Sequence, residues 1–169
     1  MIFATTGSQM PFDRLIRVVD EWAATHPEKK IVAQIGVTDL VPANLETRTT
    51  MPPSEFAQLV ADAELVVGHA GMGTILTAFR HGTPVLVLPR RGDLQETRND
   101  HQFATARRLA DRPGLHVALD EASLLAALDR LSGCDRPEPI PPHASDELID
   151  FIRGFVQGHR EGSTPNTPS

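Results

Sequence analysis

The chain has 169 residues, which is enough for one domain with a sizeable core but too few for two full nucleotide-binding domains. Its formal net charge of −6, without a long basic stretch, argues against nucleic acid as a partner. Cys134 is the one cysteine, no apolar run approaches the ~20 residues that cross a bilayer, and no cleavable signal is visible, so we expect a cytosolic protein.

The first part of the chain predicts strands and helices in alternation. Residues 2–6 predict a strand that ends in a turn at Gly7 and Ser8, and a helix with Pro11 near its first turn follows. Residues 31–35 predict a second strand. The stretch 42–50 is polar and irregular, with room for one short strand.

Apolar strands and a glycine turn mark the middle of the chain. Ser54 is placed to cap a helix, and residues 65–67 predict the next strand. The glycine turn at 68–73 leads into a helix that starts near Thr74, and residues 85–88 form another apolar strand. Strands that are apolar on both faces are typical of a parallel sheet covered by helices.

The remaining residues complete this pattern. A polar loop at 90–100 precedes a helix, a last strand at 116–119 and a helix over 121–131. We therefore predict a single α/β domain, Rossmann-like, with a parallel sheet and right-handed crossovers. The predicted units are the domain at 1–132, a proline-rich connector at 133–143, a helix at 144–157 and a disordered tail at 158–169.

Three turns are expected to meet at the carboxyl edge of this sheet, where ligands of open α/β sheets bind. They are the turn at Gly7, the segment 69–74 and the loop that begins at Pro89. Free N–H groups and the positive end of a helix dipole at the second turn would attract an anion, and Gly71 and Gly73 would let the backbone approach a diphosphate. A tight turn without a ligand is the alternative.

Side chains predicted at the same edge could bind a substrate or take part in catalysis. His69 could donate a hydrogen bond to a phosphate oxygen or act as a general base, although a structural histidine would look the same. The polar residues 89–102 could bind sugar hydroxyls, or form a solvated loop in which Arg90 and Arg91 are surface charges. No cluster has convincing metal-ligand spacing, and the first turn lacks the Gly-x-Gly-x-x-Gly pattern of dinucleotide enzymes.

Three motifs in a fixed order resemble the carboxyl-terminal domain of glycosyltransferase family 28. They are Val-Gly-His-Ala-Gly-Met-Gly-Thr-Ile-Leu at 67–76, Gly-Thr-Pro-Val-Leu-Val-Leu-Pro-Arg at 82–90, and Asn-Asp-His-Gln followed by Ala-Arg-Arg-Leu within 99–109. With Thr-Thr-Gly-Ser-Gln at 5–9, the chain is similar to the small catalytic subunits of two-piece transferases. These include the cytosolic subunit of the lipid-linked GlcNAc transferase and its bacterial exopolysaccharide and capsule relatives.

The resemblance implies the donor-binding C-terminal half of a GT-B fold that uses a UDP-sugar. It implies that His69 is catalytic on the acceptor side. It implies diphosphate contacts from Gly7, Ser8, Gly71, Met72, Gly73 and Thr74, and donor-sugar contacts from Glu96, Asp100, His101 and Gln102. Relatives often place a ribose-binding acid where this chain has Thr77, so Glu96 or the backbone would have to replace it.

The resemblance also implies an incomplete enzyme. A membrane-anchored partner subunit would supply the other half and the lipid-linked acceptor, and the stripe Leu148, Ile152, Phe155 and Val156 would dock on it, unless that helix packs on its own sheet. We expect inverting transfer with neither cofactor nor metal, at the cytosolic membrane face. The rival hypotheses are a non-catalytic subunit that binds the nucleotide sugar and a UDP-sugar epimerase, which would need both domains.

Overall fold

In a computed structural model that describes residues 1–8, 10–98, 101–141, 143 and 146–156, the chain forms an α/β domain. The strands within these residues are β1 (Ile2–Thr5), β2 (Ile31–Gln34), β3 (Glu46–Arg48), β4 (Leu65–Gly68), β5 (Val85–Val87) and β6 (Leu115–Val117). The helices there are α1 (Asp13–Thr25), α2 (Pro53–Asp62), α3 (Met72–Arg80), α4 (His101–Leu109), α5 (Glu121–Leu131) and α6 (Asp146–Val156).

The strands form one parallel sheet in the order β3-β2-β1-β4-β5-β6. The strand β1 lies between β2 and β4, so Thr5 at its carboxyl end pairs with Gln34 on one side and Gly68 on the other. The predicted α/β class and parallel sheet are confirmed. This register brings the turns that follow β1 and β4 next to each other.

Helices cover both faces of the sheet. Ile2 and Ala4 belong to one apolar core, which α1 and α5 close with residues such as Leu15 and Leu128. Phe3 belongs to the opposite core, which is closed by α2, α3 and α4. Each fully buried Leu, Ile or Phe stabilises the fold by about 1.5–3 kcal/mol, so the two cores hold the site-bearing edge firmly.

Two helices begin earlier than the sequence predicts. The predicted cap at Ser54 is wrong: Pro52 is the N-cap of α2, no side chain caps this helix, and Ser54 lies inside its first turn. Proline at the first helical position, here Pro53, already has the required φ and no N–H that needs a partner. The helix α3 begins at Met72, so Met72, Gly73 and Thr74 are its first turn.

The proline-rich connector lies against the domain at the edge opposite the site. The guanidinium of Arg136 donates hydrogen bonds to Ala63 O at 3.1 Å and to Thr83 Oγ1 at 2.8 Å. The N–H of Ile140 donates to Phe79 O at 3.0 Å. The predicted tail at 158–169 lies outside the described residues. Among the residues that are described, no helix is long and apolar enough to cross a membrane.

Candidate functional site

A cleft of about 560 Å³ opens at the carboxyl edge of the sheet. The turn after β1, the start of α3 and the loop between β5 and α4 line it, together with the end of β2 and the start of α2. Every predicted site residue within the described part of the chain lines it: Gly7, Ser8, His69, Gly71, Met72, Gly73, Thr74, Glu96, His101 and Gln102. Asp100 lies outside the described residues.

The start of α3 presents uncapped backbone donors to this cleft. The N-cap residue Gly71 has no side chain to accept from the first turn, and the first N–H that bonds back to it is that of Ile75, at 3.2 Å. The three preceding N–H groups have no acceptor within the helix. By contrast, the N-terminus of α5 is capped by the carboxylate of Asp120, which accepts a hydrogen bond from Ser123 N at 2.7 Å. An anion at α3 would meet both the free donors and the positive end of the helix dipole.

Glycine is found at three positions of the site for different physical reasons. A Cβ on Gly71 would overlap the imidazole of His69, and a Cβ on Gly7 would lie 2.6 Å from His69 Cε1. Gly7 also has a φ of +78°, a left-handed conformation that favours glycine. A Cβ on Gly73 would meet no atom within 4 Å. Two glycines therefore make room for His69, while the space beside Gly73 is open.

His69 is held in its neutral form. Burial, followed by the positive charges of Arg90 and His101, lowers its pKa to about 4. Its Nδ1 is buried, and the described residues offer it no hydrogen-bond partner. A buried polar atom without a partner is uncommon in native proteins and marks a place where a ligand can bind. An anionic ligand would also raise the pKa of this imidazole and make it a better base.

Arg90 is part of the cleft wall although only 4% of its surface is exposed. The hypothesis that both arginines of the loop are surface charges is wrong for Arg90, whereas Arg91 is exposed and pairs with Asp93. Gln34 is a second residue that sequence reasoning missed: it is 7% exposed, and its Oε1 accepts from Thr5 Oγ1 at 2.9 Å. The signal available for Gln34 was a polar residue at the end of an apolar strand.

The predicted sugar-binding side chains already have protein partners. The carboxylate of Glu96 accepts from Arg14 Nε at 2.7 Å, from Arg14 Nη2 at 2.8 Å and from Arg91 N at 2.9 Å. Gln102 is buried, and its Oε1 accepts from Arg90 N at 3.1 Å. His101 begins α4 and is exposed. The sugar-binding roles of these residues stay predictions.

Two further predictions concern the ribose and a metal. The hydroxyl of Thr77 donates to Gly73 O at 2.7 Å, so it is bonded within its own helix. Within the ranges that the structure describes, no group of three His, Cys, Asp or Glu side chains could hold a metal ion. How the ribose is bound and whether a metal takes part both stay predictions.

Comparison with known proteins gives matches among glycosyltransferases. Residues 1–132 match the family model described as the glycosyltransferase family 28 C-terminal domain. The elloramycin glycosyltransferase ElmGT of Streptomyces olivaceus is 28% identical over 165 residues, which are 91% of this chain and 38% of that protein. The UDP-N-acetylglucosamine--N-acetylmuramyl-(pentapeptide) pyrophosphoryl-undecaprenol N-acetylglucosamine transferase of Granulibacter bethesdensis is 38% identical over 61 residues, which are 36% of this chain and 15% of that protein.

Solved structures share the fold. The solution structure of ALG13 matches with a TM-score of 0.57 at 18% identity, over 90% of this chain and 94% of that one. The glycosyltransferase SsfS6 of Streptomyces sp. SF2575, complexed with thymidine diphosphate, matches with a TM-score of 0.54 at 20% identity, over 92% of this chain and 40% of that one. The fold is that of the C-terminal half of GT-B glycosyltransferases. The chain thus spans well under half of the curated relatives, but nearly all of ALG13.

Proposed function

Because the chain belongs to the glycosyltransferase family 28 C-terminal domain family, we propose that it is the donor-binding catalytic subunit of an inverting, metal-independent glycosyltransferase. The proposed donor is a UDP-sugar, UDP-GlcNAc or a related hexose, and the proposed acceptor is a lipid-linked sugar. The observation that carries this proposal is the uncapped start of α3, which opens onto the cleft beside the turn at Gly7.

The geometry supports the following chemistry. The bond between the sugar C1 and the diphosphate breaks as an acceptor oxygen attacks from the opposite face, which inverts the anomeric centre. C1 develops oxocarbenium character, and the free N–H groups of α3 stabilise the leaving diphosphate as its charge grows. The acceptor hydroxyl gives its proton to a base. His69 is the local candidate, because it is neutral and the arriving diphosphate raises its pKa, and a base of the partner is the other.

The proposal includes a second polypeptide. The matched family model describes a C-terminal domain, and the proposal assigns the acceptor contacts to the other polypeptide. Of the predicted stripe, Leu148 is 48% and Ile152 50% exposed, and the neighbouring Phe151 is 72% exposed. The side chains of Phe155 and Val156 lie outside the described part of the chain. We propose that this stripe docks on a membrane-anchored subunit that binds the acceptor, which would hold the protein at the cytosolic membrane face.

A thymidine-diphosphate sugar is a second candidate donor. SsfS6, which shares the fold, was solved in complex with thymidine diphosphate. In this chain Thr77 stands where a ribose-binding acid is often found, and its hydroxyl is bonded to Gly73 O. Thymidine diphosphate has no 2′-hydroxyl on its sugar, so unlike UDP it needs no hydrogen-bond partner for that hydroxyl at position 77.

Calorimetry on the purified chain tests the donor site directly. We expect UDP or thymidine diphosphate to bind and ADP to bind more weakly, because ADP has the same diphosphate but carries a purine in place of the pyrimidine of the proposed donor. If neither pyrimidine diphosphate binds, the donor-binding proposal fails. The nucleotide that binds more tightly decides between the two donor classes.

Turnover by the assembled enzyme tests catalysis. The chain would be co-purified with its partner from native membranes and assayed with UDP-GlcNAc, UDP-glucose, UDP-galactose, UDP-glucuronate and a thymidine-diphosphate sugar. Replacement of His69, Asp100 or Gln102 by Ala is expected to reduce turnover, while His81→Ala, at the far end of α3, leaves it unchanged. Unchanged turnover in all three site variants would favour the alternative, a non-catalytic subunit that binds the nucleotide sugar.

A further inference from the structure

Arg90 joins the two loops that border the cleft. Its Nη2 donates to Thr6 O at 2.6 Å and to Met10 O at 2.7 Å, and its Nη1 donates to Pro11 O at 2.7 Å and to Glu96 O at 3.0 Å. The first three acceptors lie in the loop between β1 and α1, and the fourth lies in the loop between β5 and α4. One side chain therefore connects the two loops through four hydrogen bonds.

The charge of Arg90 is not neutralised by these contacts. All four acceptors are carbonyl oxygens, and the guanidinium also lies 4.5 Å from the centroid of the Phe12 ring. The carboxylate of the neighbouring Glu96 attracts the Arg90 charge from a distance, but both of its oxygens are bonded elsewhere, to Arg14 and to Arg91 N. An almost buried cation whose hydrogen bonds all go to neutral groups makes the cleft favourable for an anion.

We propose that Arg90 is the positioning residue of the nucleotide site: it holds the turn at Gly7 and Ser8 ready for a diphosphate before the ligand arrives, and it supplies the site's fixed positive charge. This inference rests on the proposed function for the identity of the ligand. Only a guanidinium suits the position, because its planar set of donors reaches acceptors in two loops at once, whereas the ammonium of lysine is a single point.

The size of the effect on binding follows from the charge. One unit charge about 7 Å from a phosphate, at an effective dielectric constant near 20, changes the affinity about 50-fold. Salt weakens such an interaction, so the loss of Arg90 also reduces the dependence of binding on ionic strength.

His69 reports on Arg90 without any ligand. Arg90 is the main charge that lowers the pKa of His69, after burial itself, and His101 contributes less. Removal of the Arg90 charge is therefore expected to raise the pKa of His69 from about 4 toward its ordinary value near 6.5. NMR titration of the labelled histidine ring measures this shift in the free protein.

The experiment compares Arg90→Met, Arg90→Lys and Arg91→Met. In Arg90→Met we expect the pKa of His69 to rise and the Kd for UDP, or for thymidine diphosphate if that is the tighter ligand, to rise about 50-fold. Arg90→Lys keeps the charge, so the pKa of His69 stays near the wild-type value, but nucleotide binding weakens because one ammonium cannot bond both loops. Arg91→Met removes the same charge from an exposed position of the loop and changes neither measurement.

The outcomes separate this inference from the proposed function. An unchanged His69 pKa in folded Arg90→Met, or a nucleotide affinity within about twofold of wild type, overturns the role of Arg90. If Arg90→Met does not fold, Arg90→Lys decides, and wild-type nucleotide affinity in that variant overturns the role as well. A wild-type chain that binds no pyrimidine diphosphate refutes the proposed function instead, and the histidine titration then still tests the electrostatic part of the role of Arg90.

Discussion

Substitution of Gly73 by Asp tests the anion site without disturbing the fold. Gly73 is the second residue of α3, and a Cβ there meets no atom within 4 Å. An acidic side chain in the first turn also interacts favourably with the positive end of the helix dipole, so the substitution is not expected to destabilise α3. A carboxylate about 5 Å from a phosphate, at an effective dielectric constant near 20, repels it by about 3 kcal/mol per unit charge, which corresponds to a Kd roughly 200-fold higher.

Isothermal titration calorimetry with UDP measures this change, and urea unfolding shows whether the variant is as stable as the wild type. Two control variants separate volume from charge. Gly73→Ala adds a methyl group to open space and is expected to bind UDP within about threefold of wild type, with a stability gain of up to about 1 kcal/mol. Ala122→Asp adds the same charge in the first turn of α5, outside the cleft, and leaves binding unchanged. Undiminished affinity in Gly73→Asp would refute the placement of the diphosphate at α3.

Three further predictions concern the groups around the cleft. Gly71→Ala is expected to lower the unfolding free energy by about 1–3 kcal/mol, because the new Cβ overlaps the imidazole of His69. Adding His69→Ala in the same chain should restore most of this loss, as measured by urea unfolding. A loss that persists in the double variant would contradict the overlap. The fold favours neutral His69, so the unfolded chain takes up a proton on this residue near pH 6.5, whereas the folded chain does so only near pH 4. Between pH 7.5 and pH 5 the unfolding free energy of the wild type should therefore fall by about 2 kcal/mol more than that of His69→Asn. Equal losses in the two proteins would show that His69 has an ordinary pKa. Glu96→Gln removes the carboxylate that bonds Arg14 Nε at 2.7 Å, while the exposed Glu121 stays 3.6 Å from Arg14 Nη1, and it is expected to lower the unfolding free energy by about 1–3 kcal/mol. If it instead leaves stability intact and weakens UDP binding, Glu96 contacts the nucleotide.

Much of the site could be placed from the sequence because it follows the order of the strands. An apolar run such as Leu-Val-Val at 65–67 predicts a buried parallel strand, and the carboxyl ends of neighbouring parallel strands share one edge. This reasoning was sufficient to bring Gly7, His69 and the start of α3 to one place. It erred where a helix begins: the cap expected at Ser54 is replaced by a start at Pro53, because local preferences of single residues compete within the first turn.

The sequence by itself determined the fold class and the edge of the sheet at which the cleft opens, since the hydrophobic periodicity and the glycine turns are local properties of the chain. Only the tertiary structure decided what each side chain does there. Arg90 and Arg91 are adjacent residues of the same type. Arg90 is buried against carbonyl groups of a distant loop, whereas Arg91 is exposed to solvent and pairs with Asp93. Burial, a hydrogen bond and a lowered pKa all depend on which residues lie close in space, and these contacts come from parts of the chain far apart in sequence.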